Sequence, residues 1–161
     1  MKNIKDELQS ARWYPANSIN RLFVKYVNSE VSPGTIWHHL PANTAIKLSI
    51  IIPTIDAHRG GYFQNLLTQI SSQEFKDFEI IVVRGDPRQG RAINIAAAIA
   101  QGKYLLTLDD DTSLPDPMTF CKLVSVMEEN LDIGIAGGNN TIPRKANRFV
   151  RRAMREIPRR S

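Results

Sequence analysis

The sequence predicts an α/β fold built on a mostly parallel sheet in β-α-β-α-β-α-β order. Two observations carry that expectation. Four short apolar runs, "KLSIIIP", "FEIIVV", "KYLLTL" and "IGIAGG", alternate with three stretches of helical apolar spacing. The first three runs are continuous rather than alternating, as in strands covered by helices on both faces.

Residues 1–46 are read as an N-terminal extension. "NSINRLFVKYVNSEV" has helical spacing at Ile19, Leu22, Phe23, Tyr26 and Val27, and "SPGTIWHHLPAN" reads as a loop with Pro33-Gly34 as its turn. Trp13, Tyr14, Trp37 and the pair His38-His39 are expected to pack against the main domain rather than to hold a ligand. The main region, residues 47–142, opens with the strand "KLSIIIP", bounded by Pro53. Phe63, Leu66, Leu67 and Ile70 then mark a helix by their spacing. "FEIIVV" is the second strand, and "GRAINIAAAIAQG" an alanine-rich helix that Gly102 is expected to close. "KYLLTL" is the third strand. The next helix starts with Asp116 as its N-cap and Pro117 at its first position. "IGIAGG" is expected to be the fourth strand.

The 161 residues suffice for one domain with a core. The net charge of +5 resides in the tail. Residues 144–161 hold eight Lys/Arg and one acid, Glu156, so the remainder of the chain is slightly acidic, at −2. The single cysteine, Cys121, forms no internal disulfide, and "MKNIKDELQSARWYP" has no apolar signal core, so a reducing, cytoplasmic setting is expected. In the tail, residues 143–161, Ala146, Phe149, Val150, Ala153, Met154 and Ile157 form one apolar stripe among arginines. Such a helix packs on a neighbouring surface, lies peripherally on an anionic membrane, or binds nucleic acid; the first is the reading we favour and the last is the least favoured.

The run "KYLLTLDDDTSLPD" places Asp109, Asp110 and Asp111 at the carboxyl end of the third strand, where ligands bind in such sheets. In an extended segment Asp109 and Asp111 point to one side and Asp110 to the other. Two converging carboxylates make a hard-oxygen site for Mg2+ or Mn2+ that phosphate oxygens and water complete.

The order and spacing of "LSIIIPT", "SQEFKDFEIIVV", the Asn-containing helix ending "AQGKY", and "LDDD" resemble the nucleotide-binding half of family-two glycosyltransferases with the GT-A fold, from about Lys47 to about Asn140. The resemblance implies metal-dependent transfer of a sugar from a nucleotide-diphosphate donor to an acceptor. It implies that Asp109 meets the ribose and Asp111 the metal, and that Pro53, Thr54, Ile55 and Asp56 frame the nucleoside. It also implies Asn94 near the nucleotide, with Asp86 standing in for the acids that usually read the base. Arg91 could then reach a phosphate. Asp56 departs from the family's "PTYN", which reads "PTID" here. His58 and Arg59 are expected to face solvent. The family's second half supplies the acceptor site and a catalytic base, and only Glu156 among the residues after Gly138 is acidic. The chain is therefore expected to be a donor-binding half with little transferase activity of its own. Two other classes stay open: a non-catalytic nucleotide-binding module, and a nucleotidyltransferase, for which Arg59-Gly60-Gly61 is a thin version of the usual loop.

Overall fold

A computed structural model of the chain describes residues 4–16, 34–41, 45–138 and 146–156. They fall into two compact units, Met1–Val124 and Ser125–Ser161.

The first unit is organised by a five-stranded sheet. Its strands are β1 (Tyr14–Pro15), β2 (Thr35–His39), β3 (Leu48–Thr54), β4 (Phe78–Arg84) and β5 (Tyr104–Thr107), in the spatial order β1-β2-β4-β3-β5. β3 pairs in parallel with β4, from Leu48 opposite Phe78 to Thr54 opposite Arg84, and with β5 on its other side. The helices are α1 (Ile4–Gln9), α2 (Tyr62–Ser71), α3 (Gln89–Ile99) and α4 (Thr119–Glu129), the last of which begins in this unit. α2 and α3 are the crossovers between the parallel strands.

Both faces of the central strands are buried, which is why their sequences are continuously apolar. Ile50 and Ile52 of β3 join Ile80 and Val82 of β4, Phe63, Leu66, Leu67 and Ile70 of α2, and Phe120 and Val124 of α4. Ile51, Ile81 and Val83 point the other way, to Ala92, Ile95 and Ala96 of α3. The four α2 residues are those whose spacing predicts a helix. Asp116 Oδ1 accepts from the Met118 N–H at 2.9 Å in the turn that leads into α4, but regular helix starts only at Thr119, two residues beyond Pro117, the expected first position.

Three expectations are corrected. The sheet is mixed, not mostly parallel, because β2 runs antiparallel to β4 and β1 antiparallel to β2. The segment read as a loop, "TIWHH", is that extra strand. Its β-branched and aromatic residues suit a pleated surface once β4 supplies a partner, and Trp37 packs in the core as expected. Second, residues 133–138 form no strand. Three of these six residues are glycine, which loses the most conformational freedom when fixed in a ladder. Third, α3 ends at Ile99 with an extended Ala100 as its cap, and Gly102 does other work. The Gly102 N–H donates to Ser49 Oγ at 2.8 Å, and a Cβ there would sit 2.6 Å from that oxygen, so the position admits no side chain.

Ser49 belongs to a buried polar group at the start of β3. Glu79 on β4 is fully buried and accepts hydrogen bonds from Ser49 Oγ at 2.5 Å, from the Gln101 N–H at 2.6 Å and from His38 Nε2 at 2.5 Å. It ties β2, β3, β4 and the α3–β5 turn together. Burial by itself pushes the Glu79 carboxyl up, but the three donors outweigh it and hold the group below the usual carboxylate range.

In the second unit, α5 (Arg148–Glu156) is the helix expected in the tail. Asn147 caps it, its Oδ1 accepting from the Val150 N–H at 2.8 Å. Ile157 of the expected stripe and the helical spacing at 19–27 lie outside the described residues. Among the described residues no helix is long and apolar enough to cross a membrane.

Candidate functional site

In an α/β sheet the usual ligand position is the crevice where the connections from adjacent strands part. Here that is the carboxyl end of β3 beside β5, since β3 connects to β4 on its other side. Pro53 helps to open it. Ile51 O accepts from the Leu108 N–H at 3.0 Å, the last link from the β5 side, while Thr54 O accepts from the Gly85 N–H on the β4 side. Alternation along β3 thus turns the nitrogen of Pro53, which has no hydrogen, toward β5 just where that chain leaves the sheet.

A cleft of about 360 Å3 lies there, lined by Pro53, Thr54, Ile55, Arg59, Asp86, Pro87, Gln89, Asp109, Asp110 and Asp111. Its volume is within the roughly 300–1,000 Å3 of small-ligand sites. Seven of the sequence-predicted site residues therefore meet: Pro53, Thr54, Ile55, Asp86, Asp109, Asp110 and Asp111. Three others are placed differently. Asp56 folds back onto its own loop, where its Oδ1 accepts from the N–H groups of His58 at 2.8 Å and Arg59 at 2.9 Å. Those two donors, Arg59 first, hold its carboxyl below the usual range. Asn94 is exposed on α3 and is not among the lining residues. Arg91 is bonded to Asp86.

That last pair is the best-buried ionic contact near the cleft. Arg91 Nε lies 2.6 Å from Asp86 Oδ2, and Nη2 lies 2.8 Å from Oδ1. The two side chains are only 8% and 0% exposed. Asp86 Oδ1 also accepts from the Arg88 N–H at 2.9 Å. The carboxylate thus braces the turn from β4 into α3, and that turn carries Gln89. Sequence reasoning passed over Gln89, an uncharged residue at a helix start. Its Nε2 donates to Asp109 Oδ1 at 2.8 Å. The one available signal was its position, since a helix that follows β4 begins at the same rim as the aspartate run.

The aspartates do not alternate. β5 ends at Thr107, and the Thr112 N–H bonds to Asp109 O at 3.0 Å, so the run forms a turn and not an extended strand. The expectation that Asp110 points away fails for that reason. Asp110 is the most enclosed of the three aspartates, its side chain 13% exposed, and its Oδ2 accepts from Thr54 Oγ1 at 2.7 Å. Thr54 Oγ1 in turn accepts from the Ala57 N–H at 3.0 Å, joining β3, its loop and the aspartates. Behind the run, the Leu114 N–H bonds to Gln69 Oε1 at 2.6 Å, and Gln73 Nε2 bonds to Asp116 O at 3.0 Å. Both glutamines hold the loop from below. Arg59, expected to face solvent, reaches into the cleft. Its Nη2 is 3.4 Å from Asp111 Oδ2 and its Nε 3.6 Å from Asp110 Oδ1.

Among the described residues no three His, Cys, Asp or Glu side chains are grouped to hold a metal ion by themselves. The donor set nevertheless suits an ion that brings most of its shell with it, since the oxygens are hard carboxylates and a cationic group, Arg59, already stands against two of them.

The chain matches the family described as Glycosyl transferase family 2 over residues 84–160. The match includes Asp86, Gln89, Arg91, Asn94 and the aspartate run, and it begins after Pro53, Thr54 and Asp56. No curated protein and no solved structure matches the chain.

Proposed function

We propose that the cleft binds the nucleotide-diphosphate portion of a sugar donor, from which the sugar passes to an acceptor, a reading supported by the match of residues 84–160 to the family described as Glycosyl transferase family 2. The observation that supports this most is the convergence of Asp109, Asp110 and Asp111 at the carboxyl end of β3, inside the matched segment. Pro53, Thr54 and Ile55 form the apolar and hydroxyl-bearing wall against which a nucleoside lies. Asp109, exposed and oriented by Gln89, accepts hydrogen bonds from ribose hydroxyls. Asp86 acts on the site through its bond to Arg91, which fixes the turn carrying Gln89.

Asp111, with Asp109, offers the oxygens for Mn2+ or Mg2+. When bound, such an ion offsets the charge that gathers on a departing diphosphate. Asp110 is the anchored member, held by Thr54 so that its neighbours keep their positions.

The test is titration of UDP, GDP and dTDP into the full chain with and without Mn2+. The expected result is binding of at least one nucleotide that requires Mn2+ and is lost in Asp111→Ala. Binding that ignores the metal, or none, overturns the proposal.

A further inference from the structure

The loop between β3 and α2 is shaped to deliver one cation. Ala57 and Arg59, with φ of 57° and 46°, are the two non-glycine residues in left-handed backbone among the described residues. Such a conformation is unfavourable for a residue with a Cβ and persists where the surroundings impose it. Here the imposing contacts are present. Asp56 Oδ1 receives two N–H groups, one of them from Arg59 itself, and Gln64 Nε2 on α2 donates to Ala57 O at 3.0 Å. The Ala57 N–H bonds to Thr54 Oγ1, which also bonds to Asp110. The loop is therefore tied to the aspartate run by the same hydroxyl, and its Arg59 side chain lies against Asp110 and Asp111.

Three adjacent carboxylates repel one another, and the guanidinium lying against two of them relieves that repulsion. It does so at Asp111 Oδ2, one of the oxygens a divalent ion would use, and at Asp110 Oδ1 beside it. A metal ion at 2.0–2.3 Å from an oxygen and a guanidinium at hydrogen-bond distance cannot share one lone pair, and the two cations repel. Arg59 is 59% exposed, so its side chain can swing out without opening the core.

We propose that Arg59 is the resident counter-cation of the aspartate run and competes with a divalent cation for Asp111. The ion then enters with a phosphate ligand rather than ahead of it, and the displaced Arg59 lies beside the cleft, where it pairs with phosphate oxygens. This rests on the donor-binding reading for the identity of the phosphate, but the competition itself is measurable with the metal alone.

Mn2+ is titrated into the full chain, Arg59→Ala, Arg59→Gln and Arg59→Lys, with free ion read by electron paramagnetic resonance and folding checked by circular dichroism. Removing one positive charge from this exposed position should tighten Mn2+ binding roughly two- to fivefold in the Ala and Gln variants. Lys should fall between them and the parent. Equal or weaker Mn2+ affinity in the Ala and Gln variants, or no Mn2+ binding in any protein, overturns the competition. UDP is the second probe. If Mn2+ tightens in Arg59→Ala but UDP binds nowhere, the counter-cation stands and the donor reading falls. If UDP binds with Mn2+ while Mn2+ alone is indifferent to Arg59, the counter-cation falls and the donor reading stands.

Discussion

Arg91→Ala separates two roles for one arginine. The family resemblance implies a phosphate ligand, whereas the structure shows a buried brace. The Arg91 side chain is 8% exposed and holds both oxygens of a fully buried Asp86 carboxylate, at 2.6 and 2.8 Å. Removing one partner of such a pair strands the other charge, at a typical loss of about 3–5 kcal/mol, against about 0–1 kcal/mol for an exposed pair. The Arg88 N–H stays on Asp86 Oδ1 and partly compensates, which favours the lower end, about 3 kcal/mol. For a chain of this size that is a fall in melting temperature of roughly 6–12 °C. The assay is urea unfolding, read as the midpoint at unchanged slope, with nucleotide titration in parallel. Arg91→Lys keeps the charge but not the fork, so it should lose about half as much. Replacing both partners, as Asp86→Asn with Arg91→Met, should recover much of the loss, since no buried charge is then unpaired. The brace is refuted if Arg91→Ala costs less than about 1 kcal/mol yet abolishes metal-dependent nucleotide binding. That outcome would make Arg91 a ligand whose pairing with Asp86 is incidental.

Two further outcomes follow from the buried group at the other end of the sheet. The folded-state Glu79 carboxyl lies below its ordinary value, so its contribution to stability is complete above the unfolded value and is lost as pH falls through the folded one. The urea midpoint should therefore decline as pH drops below about 4.5, and Glu79→Gln should flatten that decline while lowering the midpoint at neutral pH; an unchanged slope would contradict it. Gly102→Ala should destabilise by about 1–3 kcal/mol, because its new Cβ would meet Ser49 N, a backbone atom, at 2.7 Å. Calorimetry showing no loss would mean that the α3–β5 turn moves freely away from β3.

What the sequence made legible is what neighbours in the chain decide. The continuous apolar runs of β3 and β4 and the spacing of Phe63, Leu66, Leu67 and Ile70 are local signatures of burial, and each became the element expected. What it hid depends on partners distant in sequence. "TIWHH" is a strand because Ile36 and Trp37 face Val83 and Val82 of β4, and nothing within five residues announces that. The aspartate run misled for a related reason. Alternation holds only while a strand continues, and β5 stops two residues before Asp109, so the side chains follow a turn. Composition also treats charges as separate candidates. Asp86, Arg91, Arg59, Asp110 and Asp111 each read as a ligand or as solvent-facing, yet the fold sets Asp86 against Arg91 and Arg59 against the aspartates. The two pairings differ in burial, and that difference assigns them. A pair at 8% and 0% exposure is held together by what its separation would strand, so it braces the site. A pair whose arginine is 59% exposed can exchange its partner, so it is the one suited to respond when another cation arrives.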